Sequence, residues 1–249
     1  MRLLIVNPNT SDSVSALIKK EAQRVASPHV EIQVVTAALG VAYIETRAEA
    51  AVGAYATLNA LAEHHGHYDA AVVAAFGDPG LLAARELLDV PVTGMTESAL
   101  MTAAMLGGKI SIVAISRRIR TWYEETVARY GMSSRLASIR SLENSLRNIA
   151  TIQEDHGEQL IALCKQAVDE DGADVIIIAG APLAGLARTV ADRIPVPLVD
   201  GVSCAVQQAE TLVNIHPHAP QAGSYAAPPS KAVSSLSPAL MQLLGRQPQ

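Results

Sequence analysis

The stretch Asp69-Ala-Ala-Val-Val-Ala-Ala75-Phe76-Gly77-Asp78-Pro79-Gly80-Leu81 is answered 105 positions later by Asp174-Val-Ile-Ile-Ile-Ala-Gly180-Ala181-Pro182-Leu-Ala-Gly185-Leu186. Each block reads as an acidic residue, a short apolar run, a turn of small residues, then Gly-Leu opening a helical pattern. Each then reaches a Val-Pro strand, Val90-Pro91-Val92 in the first case and Val196-Pro197-Leu198 in the second. The openings correspond more loosely, Leu4-Ile5-Val6-Asn7 with Ile110-Ser111-Ile112-Val113. Self-similarity at a fixed offset marks a duplicated structural unit. Two similar halves facing each other across a cleft are expected.

Along the rest of the chain, short apolar runs alternate with segments whose apolar residues recur every three or four positions. Strands are expected at Leu3–Val6, Ile32–Val35, Ala70–Ala75, Pro91–Gly94, Ile110–Val113, Leu136–Ile139, Val175–Ile178 and Pro197–Val199. Strand–helix alternation argues for parallel βαβ units, so the fold class is α/β with two parallel-sheet subdomains related by a pseudo-twofold axis. The first is expected to comprise residues 1–98 with a C-terminal return and tail at 204–249, and the second residues 99–203. In the tail, Gly223–Ser237 is dominated by Pro, Ala and Ser, and a short helix over Pro238–Leu244 with Ser237 as its N-cap is expected to dock on the first half or on a neighbouring subunit.

Composition agrees. Of 249 residues, 49% are hydrophobic and 17% charged, enough for a large core. Aromatics make up only 3%, so the apolar mass is small and β-branched, as buried parallel strands require. A net charge of -5 gives no phosphate-tracking surface, and nucleic acid is not an expected partner. No run of 18 apolar residues exists, so no membrane span is expected. The two cysteines, Cys164 and Cys204, cannot build a disulfide framework. A cytoplasmic homo-oligomer acting on a small molecule, with no cofactor and no metal, is the expectation; His64-His65-Gly66-His67 lies at a helix end, away from the ligand-binding ends of the strands.

Ligands of parallel sheets sit beyond the carboxyl ends of strands, where helix N-termini offer free N–H groups. Four turns qualify: Asn7–Ser11, Ala75–Pro79, Ala114–Ser116 and Gly180–Pro182. Asn7, Asn9 and Thr10 can cap a helix and also cradle a substrate oxygen. Asp78 before Pro79 reads as an N-cap with proline at the first helical position. Glu97 falls in a first helical turn, and Tyr43, Glu45 and Thr46 form a polar loop among alanines. Glu45, Asp78 and Glu97 are the candidate bases.

The pattern resembles the aspartate/glutamate/hydantoin racemase superfamily, nearest its hydantoin and allantoin branch. The matching residues are Asn7-Pro8-Asn9-Thr10, Ile44-Glu45, Phe76-Gly77-Asp78-Pro79-Gly80-Leu81 with Arg85-Glu86, and Pro91-Val92 with Gly94 and Glu97. In the second half they are Ser111-Ile112-Val113, Ala184-Gly185-Leu186 and Pro197 with Asp200-Gly201-Val202. The resemblance implies a cleft between two α/β subdomains, and racemisation by a pair of cysteines on opposite faces of the substrate. Here those two catalytic positions are Ala75 and Gly180, the very pair related by the repeat, and neither side chain can carry a proton. The resemblance therefore implies a racemase or isomerase that transfers a proton next to a carbonyl, on a cyclic ureide or an amino-acid-like carboxylate, by a thiol-free route. The substrate oxygens would be held by Asn7, Asn9 and Thr10 with the backbone N–H groups of Phe76, Gly77, Ser116 and Ala181. A binding protein that keeps the cleft without turnover is the alternative.

Overall fold

The computed structural model describes residues 1–143, 148–218, 220 and 222–245. Its first half runs β1 (Arg2–Asn7), α1 (Asp12–Val25), β2 (Glu31–Thr36), α2 (Arg47–Glu63), β3 (Ala70–Val73), α3 (Leu81–Leu87), β4 (Val92–Gly94) and α4 (Met95–Leu106). The second runs β5 (Ile110–Ala114), α5 (Arg120–Arg129), β6 (Leu136–Ser141), α6 (Ile152–Asp169), β7 (Val175–Ile178), α7 (Leu186–Thr189), β8 (Leu198–Asp200) and α8 (Gly201–Ile215). Short 3-10 turns, at Arg117–Ile119 among other places, join some of these elements. All pairings are parallel, in the orders β2-β1-β3-β4 and β6-β5-β7-β8. The two sheets thus repeat one topology, and each of the eight expected strands is present.

The central strands are buried on both faces, which is why Ala70–Val73 and Val175–Ile178 are continuous apolar runs without polar alternation. The acidic residue opening each block does equivalent work. Asp69 Oδ2 accepts the Arg2 N–H at 2.7 Å, and Asp174 Oδ2 accepts the Gly108 and Lys109 N–H groups at 3.0 and 2.8 Å. Each carboxylate ties the start of one central strand to the start of its neighbour. At the other end of the strands, the Ala74 N–H donates to Val6 O and the Ala179 N–H to Val113 O, both at 2.8 Å. Ala75 and Gly180 therefore occupy the same place in their two ladders.

The helices that follow β4 and β8 are exchanged. Helix α4 packs on β5, β7 and β8, while α8 packs on β3, β4 and α1, and the two helices lie against each other. Thr93 Oγ1 donates to Ala205 O at 3.0 Å, and Gln208 Nε2 donates to Ser98 O at 3.0 Å. The helix starts Met95 and Gly201, equivalent in the repeat, touch: a Cβ on Gly201 would stand 2.6 Å from Met95 Cγ and 3.0 Å from its carbonyl oxygen. Equivalent positions of two halves meet only on the axis relating them, and only glycine allows that approach here.

Helix α9 (Pro238–Leu244) has the expected cap, Ser237 Oγ accepting the Leu240 N–H at 3.2 Å. It buries Leu240 and Leu243 against the first half and packs on α2. Residues 219, 221 and 246–249 of the expected tail lie outside the described residues.

Candidate functional site

At the carboxyl end of β1, Asn7 is fully buried and forms a polar knot. Its Nδ2 donates to Asn9 Oδ1 (3.0 Å), Ser15 Oγ (3.0 Å) and Ser11 O (3.2 Å). Asn9 Oδ1 also accepts the Ser11 N–H at 2.9 Å. The Asn-Pro-Asn turn is thus shaped by its own side chains, and the Asn7 amide is occupied by protein. Thr10 is exposed, with its N–H donated to Val41 O at 2.9 Å.

The turn after β3 departs from the sequence reading. Asp78 does not cap the helix that follows it: it sits at φ +49°, and α3 starts at Leu81 after Gly80 at φ +85°. The Asp78 carboxylate instead caps α4, accepting the Thr96 and Glu97 N–H groups at 2.8 Å each, and it also accepts the Tyr130 hydroxyl at 2.7 Å. Burial is the largest influence on this carboxyl and pushes its pKa up to about 6, against the pull of those three donors. The Gly77 N–H, expected to face substrate, is donated to Thr96 Oγ1. Glu97, another candidate base, is gripped by Arg85, which donates from Nη1 to Glu97 Oε1 at 3.0 Å and from Nε to Val92 O at 3.0 Å. Asp78 and Glu97 therefore brace the turn and the start of α4.

An aromatic wall from the second half covers this turn. Phe76 and Tyr123 rings lie 4.7 Å apart, and the Trp122 indole sits where a Cβ on Gly77 would fall, 2.2 Å from its Cζ2. Gly77 is glycine because Trp122 needs that space. Ala75 is 8% exposed, and Gly180 and Ala181 are buried. Gly180 holds φ +110°, a backbone that L side chains rarely adopt, although a Cβ there would meet only Pro182 Cδ at 3.7 Å and Ile115 Cδ1 at 3.8 Å.

Beside this wall lies a cavity of about 590 Å³ between the halves, lined from the first by Glu45, Thr46 and Arg47 and from the second by Ser116, Arg117, Arg118, Thr121, Trp122 and Glu143. Of the candidates read from sequence, Glu45 and Ser116 are brought together here. The Glu45 loop is held firmly. Thr46 and Glu49 form a capping box at the start of α2, in which Glu49 Oε2 accepts the Glu45 and Thr46 N–H groups at 2.7 and 2.8 Å. Arg47 then pins the loop to α5 through Glu125, at 2.8 Å from its Nε. The Glu45 carboxylate itself has no hydrogen bond or ion pair among the described residues. Ser116 Oγ accepts the Arg118 N–H at 3.2 Å and so starts the 3-10 turn whose Ile119 is buried. Tyr43, next to this loop, keeps a buried hydroxyl with no hydrogen-bond partner among the described residues.

Arg118 and Trp122 escaped the sequence reading. The signal was present in Ser116-Arg117-Arg118-Ile119-Arg120, a basic run directly after a strand, and so was the Thr46-x-x-Glu49 capping box. The thiols lie elsewhere. Cys164 is buried in α6, where burial pushes it up to about 12, and burial also raises Cys204 in α8, so neither is a ready thiolate at neutral pH. His64 meets Gln33 at 3.5 Å and His65 meets Asp89 at 3.3 Å, both away from the cavity.

The sequence pattern of the Asp/Glu/hydantoin racemase family matches residues 3–209. Hydantoin racemase of Paenarthrobacter aurescens is 36% identical over 235 residues, covering 93% of this chain and 99% of the relative. Hydantoin racemase of Pseudomonas sp. (strain NS671) is 33% identical, covering 93% of each. The structure of allantoin racemase from Klebsiella pneumoniae superposes with a TM-score of 0.92 at 32% identity, covering 96% of this chain and 98% of that one. With its duplicated sheets, exchanged helices and facing turns, this chain belongs to the Asp/Glu/hydantoin racemase family, on the side of the hydantoin and allantoin racemases.

Proposed function

We propose that the protein is an isomerase that moves a proton at a carbon next to a carbonyl of a small cyclic ureide, without using thiols. One observation carries this reading. The two positions where the family resemblance puts cysteines are ladder equivalents that hold Ala75 and Gly180, while Glu45 alone among the candidate carboxylates lines a cavity and has no partner for its carboxylate among the described residues. Asp78 and Glu97 are engaged in holding α4.

In this reading Glu45 takes the α-proton. The C–H bond breaks, its electron pair passes into the adjacent carbonyl as an enolate, a water in the cavity gives a proton to the opposite face of that carbon, and Glu45 returns its proton to the hydroxide left behind. Ser116 lines the same cavity and supplies a donor for a substrate oxygen as negative charge develops. Residues 1–98 with 204–249 would form one lobe, and residues 99–203 the other. The positive φ of Gly180 fits a native thiol-free relative, because the backbone itself has adapted to glycine.

The same empty pair would also suit a protein that binds a ureide without turnover, and one experiment separates the two. The protein is incubated with L-hydantoins and with allantoin in deuterated water, and the α-proton is followed by NMR. Exchange above background that falls about a hundredfold or more in Glu45→Gln is expected, since general-base assistance is worth roughly that much. Saturable binding without exchange would leave only the binder.

A further inference from the structure

We infer that Arg118 is a specificity-determining residue that reads a carboxylate on the substrate, so that the ligand is an anionic ureide rather than a neutral one. The inference rests on the cyclic-ureide reading above and concerns the same cavity.

Three arginines line that cavity, and two are already neutralised. Arg47 is held by both carboxylate oxygens of Glu125, and Arg117 stands 3.6 Å from Glu143. Arg118 has no ion pair or side-chain hydrogen bond among the described residues. Its backbone is nonetheless fixed. Its N–H is donated to Ser116 Oγ, and its neighbour Ile119 is 1% exposed, anchoring the turn and leaving the exposed Arg118 on the cavity side. A guanidinium presented by an anchored turn is preorganised for the planar, two-oxygen geometry of a carboxylate. Among the described residues, the other charge of this lining without a partner is Glu45, assigned to the reacting carbon. A ligand whose carboxylate sits on an arm, apart from that carbon, meets Arg118 without being forced onto Glu45. An uncharged ureide would leave the one free cation of this lining, among the described residues, without a partner.

The test uses two ligands of nearly the same shape, hydantoin-5-acetate and its uncharged amide, 5-(carbamoylmethyl)hydantoin, titrated calorimetrically into the full chain and into Arg118→Gln. The expected result is about tenfold tighter binding of the carboxylate by the unmodified protein, the range of one charge-assisted contact in a partly open site. That ratio should shrink with added salt and fall to about one in the variant. Because Arg118 has no side-chain partner among the described residues, the melting curve of the variant should match that of the parent and certify its fold. Equal binding of the two ligands, or a preference that survives in Arg118→Gln, overturns the inference. Binding of the amide with rejection of the carboxylate overturns it and spares the ureide reading. Failure of both ligands to bind, with α-proton exchange also absent, overturns the ureide reading and this inference with it.

Discussion

In both halves a buried aspartate clamps the turn after the third strand to the helix after the fourth, but it arises from opposite sides. In the first half Asp78 belongs to the turn and reaches the Thr96 and Glu97 N–H groups of α4. In the second, Asp200 belongs to the end of β8 and reaches back to the Gly185 N–H at 2.8 Å while capping α8 through Ser203 N–H at 2.9 Å. The partner positions complete the exchange. The repeat places Leu183 opposite Asp78, and Gly94 pairs with Val73 as Asp200 pairs with Ile178. A Cβ on Gly94 would stand 2.5 Å from Asp78 Cγ, so the first half has glycine where the second has its aspartate. One carboxylate per clamp is required, and either end can supply it. The clamp that keeps its acid in the turn is also the one covered by Trp122, Tyr123 and Tyr130.

The strongest test of this equivalence inserts the second half's solution into the first. Gly94→Asp alone should cost roughly 3 kcal/mol or more, from overlap with Asp78 and from two carboxylates in one buried space. Combining it with Asp78→Leu should recover a good part of that loss in urea melts. A double variant no more stable than Gly94→Asp would break the comparison.

Removing one acid at a time should give the next effects. Asp78→Ala leaves two helix N–H groups and a phenol hydroxyl unpaired and should cost about 2 to 3 kcal/mol. Asp200→Ala should cost less, about 1 to 2 kcal/mol, because it also relieves repulsion with the neighbouring Glu21 carboxylate. Equal losses would mean that the two clamps are energetically alike.

The smallest effect concerns pH. The folded pKa of Asp78, about 6, lies above its ordinary value of 3.8, so the folded state holds this proton more tightly and the group's favourable contribution is lost as pH rises through about 6. The cost of Asp78→Ala should therefore be larger at pH 4 than at pH 8. Tyr130→Phe should cost about 1 kcal/mol with the opposite slope, since its hydroxyl favours the ionised carboxylate and its loss is felt fully only above pH 6. Urea melts at both pH values check the two slopes; parallel slopes would contradict the assignment.

The fold was legible because both blocks carry a buried strand bounded by an acidic residue and a Gly-Leu turn, patterns set by burial and backbone geometry. The site was legible only in part. Ser116 was read from its place after a strand end and Glu45 from a polar loop among alanines, and both line the cavity. Asp78 was misread because local sequence shows which helix follows it, whereas its positive φ turns the carboxylate toward a helix 17 residues further on. Glu97 looked like a base because its ion pair with Arg85 joins α4 to α3, beyond the reach of local pattern. Trp122 was missed because its packing on Gly77 depends on α5 lying over a turn of the other half, and Arg118 because the cavity wall opposite it comes from the other half.

The central claim is proton transfer without thiols, and it is tested most directly in a chain that has none. Cys164→Ser/Cys204→Ser, checked for its melting curve, should exchange the α-proton of a ureide substrate in deuterated water at the rate of the parent protein, and the parent should be insensitive to alkylation. Loss of exchange in the folded cysteine-free chain would contradict the account and return a thiol to the site.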